Sequence, residues 1–438
     1  MTLADNINYN EINTRLVFKE DKTEMKNLKR IIAVLLACVM CLSLFACGKD
    51  NGGDNNKTDA AVTEQQSGSG DNETPAETTG GEGETSGILM PEEMDKSTIN
   101  SIIPGKIEVD GTDFVVDGEK VFMNGANTPW DKWNDFGGSF SSSFWERHFA
   151  ELHEAGINAV RVWISCNGDV GISIKDDGYV VAAMPKHWKD LDSLFKAAEE
   201  NGIYLMATLM SFDHFKDSNK KYASWRAMLD DEAAMDSYIN NYVIPFCKRY
   251  DSYDSLWSID LCNEPDWINE NDECGKIPWT KLCTLFAKEA AAIHENSDIL
   301  VTIGFGMIKY NSTKYSGNYG SDKFLQGRYD SELAYLDFYS THFYEWEAPW
   351  YGFPFDKDPV SFGLDGTKPA VLGEFPATGM TSQTSGSKDM TPSECYTSVY
   401  DNGWNGIFAW TSNGVDDCGS LEDFIDGAKE VASKEAAK

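Results

Sequence analysis

Ser258-Ile-Asp-Leu-Cys-Asn-Glu-Pro-Asp-Trp267 decides how the rest of the chain is read. With Leu256 and Trp257 just before and within it, Ile259 and Leu261 complete the short apolar run of a strand buried on both faces, the pattern of a parallel sheet covered by helices. Pro265 has no N–H to give a ladder, so the strand stops there and leaves Glu264 at its C-terminal lip. A second stretch, Pro369-Ala-Val-Leu-Gly-Glu-Phe-Pro376, repeats the design with an apolar strand that ends at Glu374 and a proline two residues on. Two such carboxylates, facing each other, would form the pair that cleaves a glycosidic bond.

Working outward, helical and strand patterns alternate. Phe144 to Ala155 has helical spacing closed by Gly156, and Ile157 to Ile164 follows as a strand. Asp190 to Glu200, closed by Asn201-Gly202, precedes the strand Ile203 to Leu209. Asp231 to Tyr250 and Pro278 to Glu295 read as helices on either side of the central strand. Leu300 to Ile303 and Leu336 to Thr341 read as strands, Pro392 to Asn402 as a helix, Ile407 to Ala409 as the last strand and Ser420 to Ala437 as a closing helix. Ile107 to Phe122 alternates short strands with Asp-Gly turns, which predicts a small hairpin that plugs the barrel floor and enters the first barrel strand, with Asn124 to Trp130 as the loop beyond. Asn167 to Met184 is an insertion, and His342 to Phe355 is a loop crowded with aromatics. Eight strands alternating with helices predict an α/β fold, a (β/α)8 TIM barrel in one domain over 104–438 with its chemistry at the strand C-termini.

Asn263-Glu264-Pro265 and, later, Gly373-Glu374-Phe375, each at a strand end, resemble the catalytic signature of glycoside hydrolase family five, in clan A of the retaining glycosidases. Further motifs follow in the family's order from about Gly105 to the C-terminus. The resemblance implies Glu264 as acid/base and Glu374 as nucleophile. It also implies that Arg161 in Asn158-Ala-Val-Arg-Val-Trp163 supports the nucleophile, that His342 and Tyr344 in Thr341-His-Phe-Tyr344 are the sixth-strand pair, and that Trp410 in Gly406-Ile-Phe-Ala-Trp410 is a platform under the sugar. His214 is the candidate for the family's third-strand histidine, although it lies several residues past the strand that ends at Leu209. Asn263 is suited to hold a sugar 2-hydroxyl. Trp130 and Trp346, with Trp267 and Trp350, are loop aromatics that suit a sugar face or seal the edge of the core.

The 438 residues, 41% of them hydrophobic, suffice for a large core. A formal charge of −34, from 71 acidic against 37 basic residues, excludes nucleic acid and anionic membrane surfaces as partners, because the field repels both. A neutral β-linked polysaccharide is compatible, and the expected state is a monomer. Of the ten cysteines, Cys38, Cys41 and Cys47 fall in a leader. The other seven are scattered, so buried free thiols are expected, with Cys274 and Cys283 the nearest pair for a bridge. His148, His153, His187 and His294 lack ligand spacing and no glycine-rich phosphate loop precedes a helix, so neither metal nor cofactor is expected.

Residues 1–24 read as an upstream extension or a disordered segment. Met25-Lys-Asn-Leu-Lys-Arg30 followed by apolar Ile31 to Leu44 has the form of a secretory signal over 25–47. Leu44-Phe-Ala-Cys47 resembles a bacterial lipobox, which implies a lipidated Cys47 and a location on the outer face of the cell membrane, with plain secretion as the alternative. Residues 48–103 read as a flexible linker, because their Gly, Asn, Thr and Ser bury too little to offset the entropy of ordering.

The implied activity is retaining hydrolysis of a β-1,4-linked polysaccharide. Overall similarity to bacterial mannanases favours an endo-β-1,4-mannanase, with an endo-β-1,4-glucanase or an exo-acting β-glycosidase of the same family as alternatives. A non-catalytic lipoprotein that captures glycans is the alternative of another class. Glu374 beside Arg161 is expected to ionise at low pH, and Glu264 beside a carboxylate to hold its proton to higher pH.

Overall fold

Three short strands precede the barrel: β1 (Glu108–Asp110), β2 (Asp113–Val116) and β3 (Glu119–Lys120), paired antiparallel in that order. The computed structural model that shows them describes residues 90–438. The segments 1–24 and 25–47, Cys47, and the linker as far as residue 89 lie outside the described residues. The sequence predicts a small hairpin that enters the first barrel strand; the second Asp-Gly turn, at Asp117 and Gly118, leads first into the separate short strand β3, both residues taking positive φ. Phe114 of β2 is fully buried, with its ring centroid 5.2 Å from Trp257 and 5.2 Å from Phe338. It closes the barrel floor, a burial that stabilises the fold by roughly 1.5–3 kcal/mol.

The barrel itself is β4 (Met123–Asn127), β5 (Ala159–Trp163), β8 (Tyr204–Thr208), β9 (Leu256–Asn263), β10 (Leu300–Phe305), β13 (Tyr339–His342), β14 (Ala370–Pro376) and β15 (Gly406–Trp410). These strands pair in chain order, all parallel, and β15 closes on β4. Between them, β6 (Ile172–Ile174) and β7 (Val180–Ala183) form a hairpin inside the insertion, and β11 (Asn311–Ser312) and β12 (Gly317–Asn318) form a second small pair.

The first barrel strand differs from the expectation: Met123–Asn127 is strand, where the sequence predicts a loop from Asn124. Two asparagines and a glycine hide it, because tertiary contacts alone justify them. Asn124 Nδ2 donates to the carbonyls of Gly156 and Ala428 at 2.7 and 2.9 Å, and a Cβ on Gly125 would stand 2.4 Å from the Phe408 ring.

The helices Ser142–Glu154, Pro185–Asn201, Trp279–Asn296, Pro392–Asp401 and Leu421–Glu435 cover the barrel. Asp231 to Tyr250 is a helical run as expected, broken by a π-helical turn at Ile239–Val243. The alternation is incomplete after β10 and β13, where the α-helices of the returns are short: Asp322–Gln326 after β10, and Ala348–Tyr351 and Pro359–Phe362 after β13. Beside β13 and β14, part of the aromatic loop fills in: Phe343, Phe353, Phe355 and Phe362 are buried and pack edge to face.

The domain also starts earlier than position 104. Arg249, buried and paired with Asp192 at 2.6 Å, donates to the carbonyls of Pro91 and Glu92 at 3.0 and 3.2 Å. Ile102 donates its N–H to the Glu199 carbonyl at 3.0 Å. Residues 91–103, read as linker, are therefore a strap on the barrel; backbone carbonyls take part, which composition does not reveal. All seven described cysteines are free, Cys274 and Cys283 included.

Candidate active site

Strand register brings the site together before any side chain is considered. Around the C-terminal rim His342 pairs with Glu374, Pro376 with Trp410, Trp410 with Asn127, and Asn127 with Arg161. On the other side Thr208 pairs with Asp260, and Asn263 with Gly304. Register shifts interrupt the ladders at Thr302/Gly304, Thr341/His342 and Leu372/Phe375, re-aiming side chains at the mouth as bulges do.

Arg161 is the hub. It is fully buried, and its five N–H donors are all used: Nη1 donates to Glu374 Oε1 at 2.6 Å and Asn127 Oδ1 at 3.0 Å, Nη2 to Asn263 Oδ1 at 2.7 Å and Asp260 Oδ2 at 2.8 Å, and Nε to Asp260 Oδ2 at 3.0 Å. Asp260 also accepts from Thr208 Oγ1 at 3.0 Å and from the N–H of Gly304 at 2.8 Å. This aspartate, inside the stretch that opens the sequence reading, went unassigned there. A charged residue in an otherwise apolar strand was the available signal.

Glu264 follows β9 with φ 47 and ψ 55, a left-handed conformation uncommon for a residue with a side chain. Its N–H donates to the Gly304 carbonyl at 2.7 Å, and Pro265 begins the helix Pro265–Glu270, so the chain turns abruptly at the carboxylate. A Cβ on Gly306 would stand 3.1 Å from the Glu264 side chain, which makes glycine the residue that leaves room for it. Trp267 Nε1 donates to Glu264 Oε2 at 2.9 Å. Glu374 Oε2 accepts from the Tyr344 hydroxyl at 2.9 Å. His342 Nδ1 lies 3.0 Å from Glu264 Oε1 and 3.5 Å from Glu374 Oε1, and ligand atoms of all three residues fall within 4.8 Å of one another.

That cluster offers three ligand atoms, but the Arg161 guanidinium already sits against Glu374 and opposes a dication. Close carboxylates, one of them paired with a buried guanidinium, suit instead the short separation of a retaining glycosidase. Burial pushes Glu264 up to about 7, offset in part by Arg161 and the Trp267 hydrogen bond. The cause differs from the expectation: loss of solvent, not the neighbouring carboxylate, dominates. Burial likewise raises Glu374, against the low value expected, although His342, Arg161 and the Tyr344 hydroxyl pull it back. Burial depresses His342 to about 4, so the imidazole is neutral at neutral pH.

An open cleft of about 460 Å³ lies over this pair. One wall is the cluster of Trp130, Trp163 and Trp410, with Trp133 4.7 Å from Trp130; elsewhere Trp267 meets Trp346 at 6.2 Å. Asn263, Glu264, Tyr344, Glu374, Trp410, Trp130 and Trp346 all line the cleft as the sequence predicts. Arg161 and His342 do not: both are fully buried behind the carboxylates, Arg161 on Glu374 and His342 against Glu264 and Glu374.

His214 is also misplaced by sequence reasoning. It is wholly buried, with Nε2 3.1 Å from Ser165 Oγ and Nδ1 accepting the Ser211 N–H at 3.1 Å. It supports the turn Phe212–Phe215, while Phe212, Asp213 and Lys216 reach the cleft in its place. Those three and Asp416 were missed, and nothing in their local sequence marks them. Trp163 was missed too, yet it stands two residues from Arg161 on a strand and so shares its face.

A family model described as Cellulase (glycosyl hydrolase family 5) matches residues 116–354, more than half of the chain. The chain belongs to glycosyl hydrolase family 5. It is therefore a glycoside hydrolase, and the family's retaining mechanism is the one its carboxylate pair serves. Glu374 and Trp410 lie beyond the matched segment, and both line the cleft. Among characterised relatives, the mannan endo-1,4-beta-mannosidase of Cryptopygus antarcticus is 26% identical over 341 residues, covering 71% of this chain and 86% of that protein. The enzyme of the same name from Mytilus edulis is 24% identical over 339 residues, covering 71% and 89%. Among solved structures, the beta-1,4-D-mannanase of Cryptopygus antarcticus superposes with a TM-score of 0.67 at 22% identity, covering 75% of this chain and 94% of that one. The endo-1,4-beta-mannanase of Eisenia fetida gives 0.65 at 23% identity, covering 75% and 95%. These superpositions agree on the barrel.

Proposed function

We propose that the protein is an endo-acting β-1,4-mannanase. The observation that carries the reading is the pair Glu264 and Glu374, the first held by Trp267 and His342 and the second by the buried Arg161 and Tyr344, under an open cleft with aromatic clusters along it. Glu374 attacks the anomeric carbon while Glu264, protonated because it is buried, gives its proton to the departing glycosidic oxygen. Arg161 and Tyr344 hold the attacking carboxylate in place. A covalent glycosyl-enzyme forms, and Glu264, now ionised, takes a proton from water, which attacks the anomeric carbon and releases the sugar with its configuration retained. Asn263 spends its Oδ1 on Arg161, which turns its amide N–H groups toward the sugar, where they suit the 2-hydroxyl. Trp410 offers a flat apolar surface to the ring.

Mannan is preferred because both relatives matched over most of their length are named for it. Release of reducing ends from mannan, carboxymethylcellulose, barley glucan and xylan, with product sizes, tests this. Fastest cleavage of mannan to mixed short oligomers is expected; faster cleavage of a glucan, or release of one product size from a chain end, overturns the substrate or the endo reading. Glycan capture without turnover leaves the complete carboxylate and arginine network unexplained. The location proposed is the outer face of a bacterial cell membrane through lipid on Cys47, supported by the charged start at Met25 to Arg30 and the apolar run before Leu44-Phe-Ala-Cys47. Labelled palmitate should enter the protein and fail to enter the Cys47→Ser variant; equal labelling removes the anchor.

A further inference from the structure

Trp350 is the most exposed large apolar side chain among the described residues, at 71%. A single surface tryptophan is ordinary; the setting of this one is not. It stands on the short helix Ala348–Tyr351, and the residues around it are tied down. Ala348 is buried, and the Tyr315 hydroxyl donates to the Tyr351 carbonyl at 2.9 Å while the two rings pack edge to face at 5.0 Å. Glu345 accepts the Thr381 N–H at 2.7 Å, and Glu347, fully buried, accepts the Tyr344 N–H at 2.9 Å. The turn is anchored on several sides, and it leaves one indole in water.

Four residues earlier, on the 3-10 turn Glu345–Glu347 that runs directly into this helix, Trp346 is 44% exposed and lines the cleft. Residues four apart on helical backbone share a face, so Trp350 continues the surface that Trp346 begins. Trp346 meets Trp267, whose Nε1 holds Glu264. Glu264 protonates the departing oxygen, so this is the leaving-group side of the cleft.

We propose that Trp350 is a binding platform for the polysaccharide outside the cleft, taking the face of a sugar on the leaving-group side once the chain has passed Trp346. The proposal rests on the β-1,4-glycan reading above. A pyranose presents an apolar face of C–H groups that stacks on an indole. An indole already fixed by its turn loses little freedom on binding.

Trp350→Ala and Trp350→Phe are compared with the wild type on polymeric mannan, on mannooligosaccharides of increasing length and on an aryl β-mannobioside, which places no sugar beyond the cleaved bond. The alanine variant should lose about tenfold in kcat/KM on polymer and the longest oligomers, mainly through KM, with no change on the aryl glycoside. Phenylalanine should restore most of the loss. Retardation in a mannan-containing gel should weaken in parallel, which reads binding without turnover. Unchanged polymer kinetics and retardation, or an equal loss on the aryl glycoside, overturns the platform. A wild type that leaves mannan intact but cleaves barley glucan refutes only the sugar assignment, and the same length series and gel on that glucan then decide Trp350.

Discussion

The two ends of the barrel are equally dry and are built on opposite physics. At the floor, Phe114, Trp257 and Phe338 are almost fully buried and interact edge to face or stacked, with centroids 5.0–5.2 Å apart. At the mouth, Arg161, Asp260 and Glu374 are at most 3% exposed, and each is tolerable only because the others are present. Burial at the floor stabilises without direction. The mouth costs stability, and what it returns is a carboxylate pair in fixed geometry with one member still protonated near neutrality.

The largest test of that contrast is Glu374→Ala, which should lower kcat/KM on mannan by on the order of 10⁴-fold or more while circular dichroism stays that of the wild type. Near wild-type rates would remove Glu374 as nucleophile. Next come two truncations that should look alike in stability and unlike in activity. Asp260→Ala leaves Arg161 Nε without its partner and should destabilise by about 3–5 kcal/mol, with activity lost as the guanidinium turns. Phe114→Ala should also cost about 3–5 kcal/mol, through a cavity, yet leave kcat/KM of the folded enzyme unchanged. Denaturant unfolding with activity per folded molecule separates them, and equal activity loss in both would mean that the two ends are not independent.

A smaller effect concerns pH. Glu264 has a folded value of about 7, above the ordinary 4.5, so its favourable contribution is complete below pH 4.5 and is lost as pH rises to about 7. Glu264→Gln carries no charge in either state. Its stability relative to the wild type should therefore grow across that window, by at most about 3 kcal/mol, and then level off. The same variant should lose the basic limb of the pH profile on an activated aryl glycoside, a limb that belongs to the coupled pair as a whole. A stability difference flat from pH 4.5 to 7 would show that Glu264 is not shifted. The smallest effect expected is at the cleft rim, where Lys216 pairs with Asp213 at 2.9 Å. Lys216→Ala should change stability by less than about 1 kcal/mol, because such pairs remain partly solvated; a larger loss in thermal unfolding would extend the costly mouth to its rim.

What could be read from the chain followed the local patterns. The apolar runs before Glu264 and Glu374 mark strands because both faces of a barrel strand are covered, and the prolines after them mark where the ladders end. Met123–Asn127 was illegible for the converse reason: its asparagines are satisfied by carbonyls far along the chain, and Gly125 is required by the Phe408 ring. The strap at 91–103 was hidden because Arg249 reads only its carbonyls.

By itself the sequence determined the barrel, the order of its strands and the two carboxylates at strand ends, since hydrophobic period, chain breakers and strand-end position are local properties. Only the tertiary structure decided that Arg161 spends all its donors on the groups behind the cleft, that His342 stands buried against both carboxylates, and that His214 props a turn whose neighbours reach the cleft. It also decided that both glutamates, and not Glu264 alone, are raised. Those outcomes depend on which groups share a dry space and how many donors converge there, and such convergence joins residues as distant as Arg161 and Glu374, 213 positions apart.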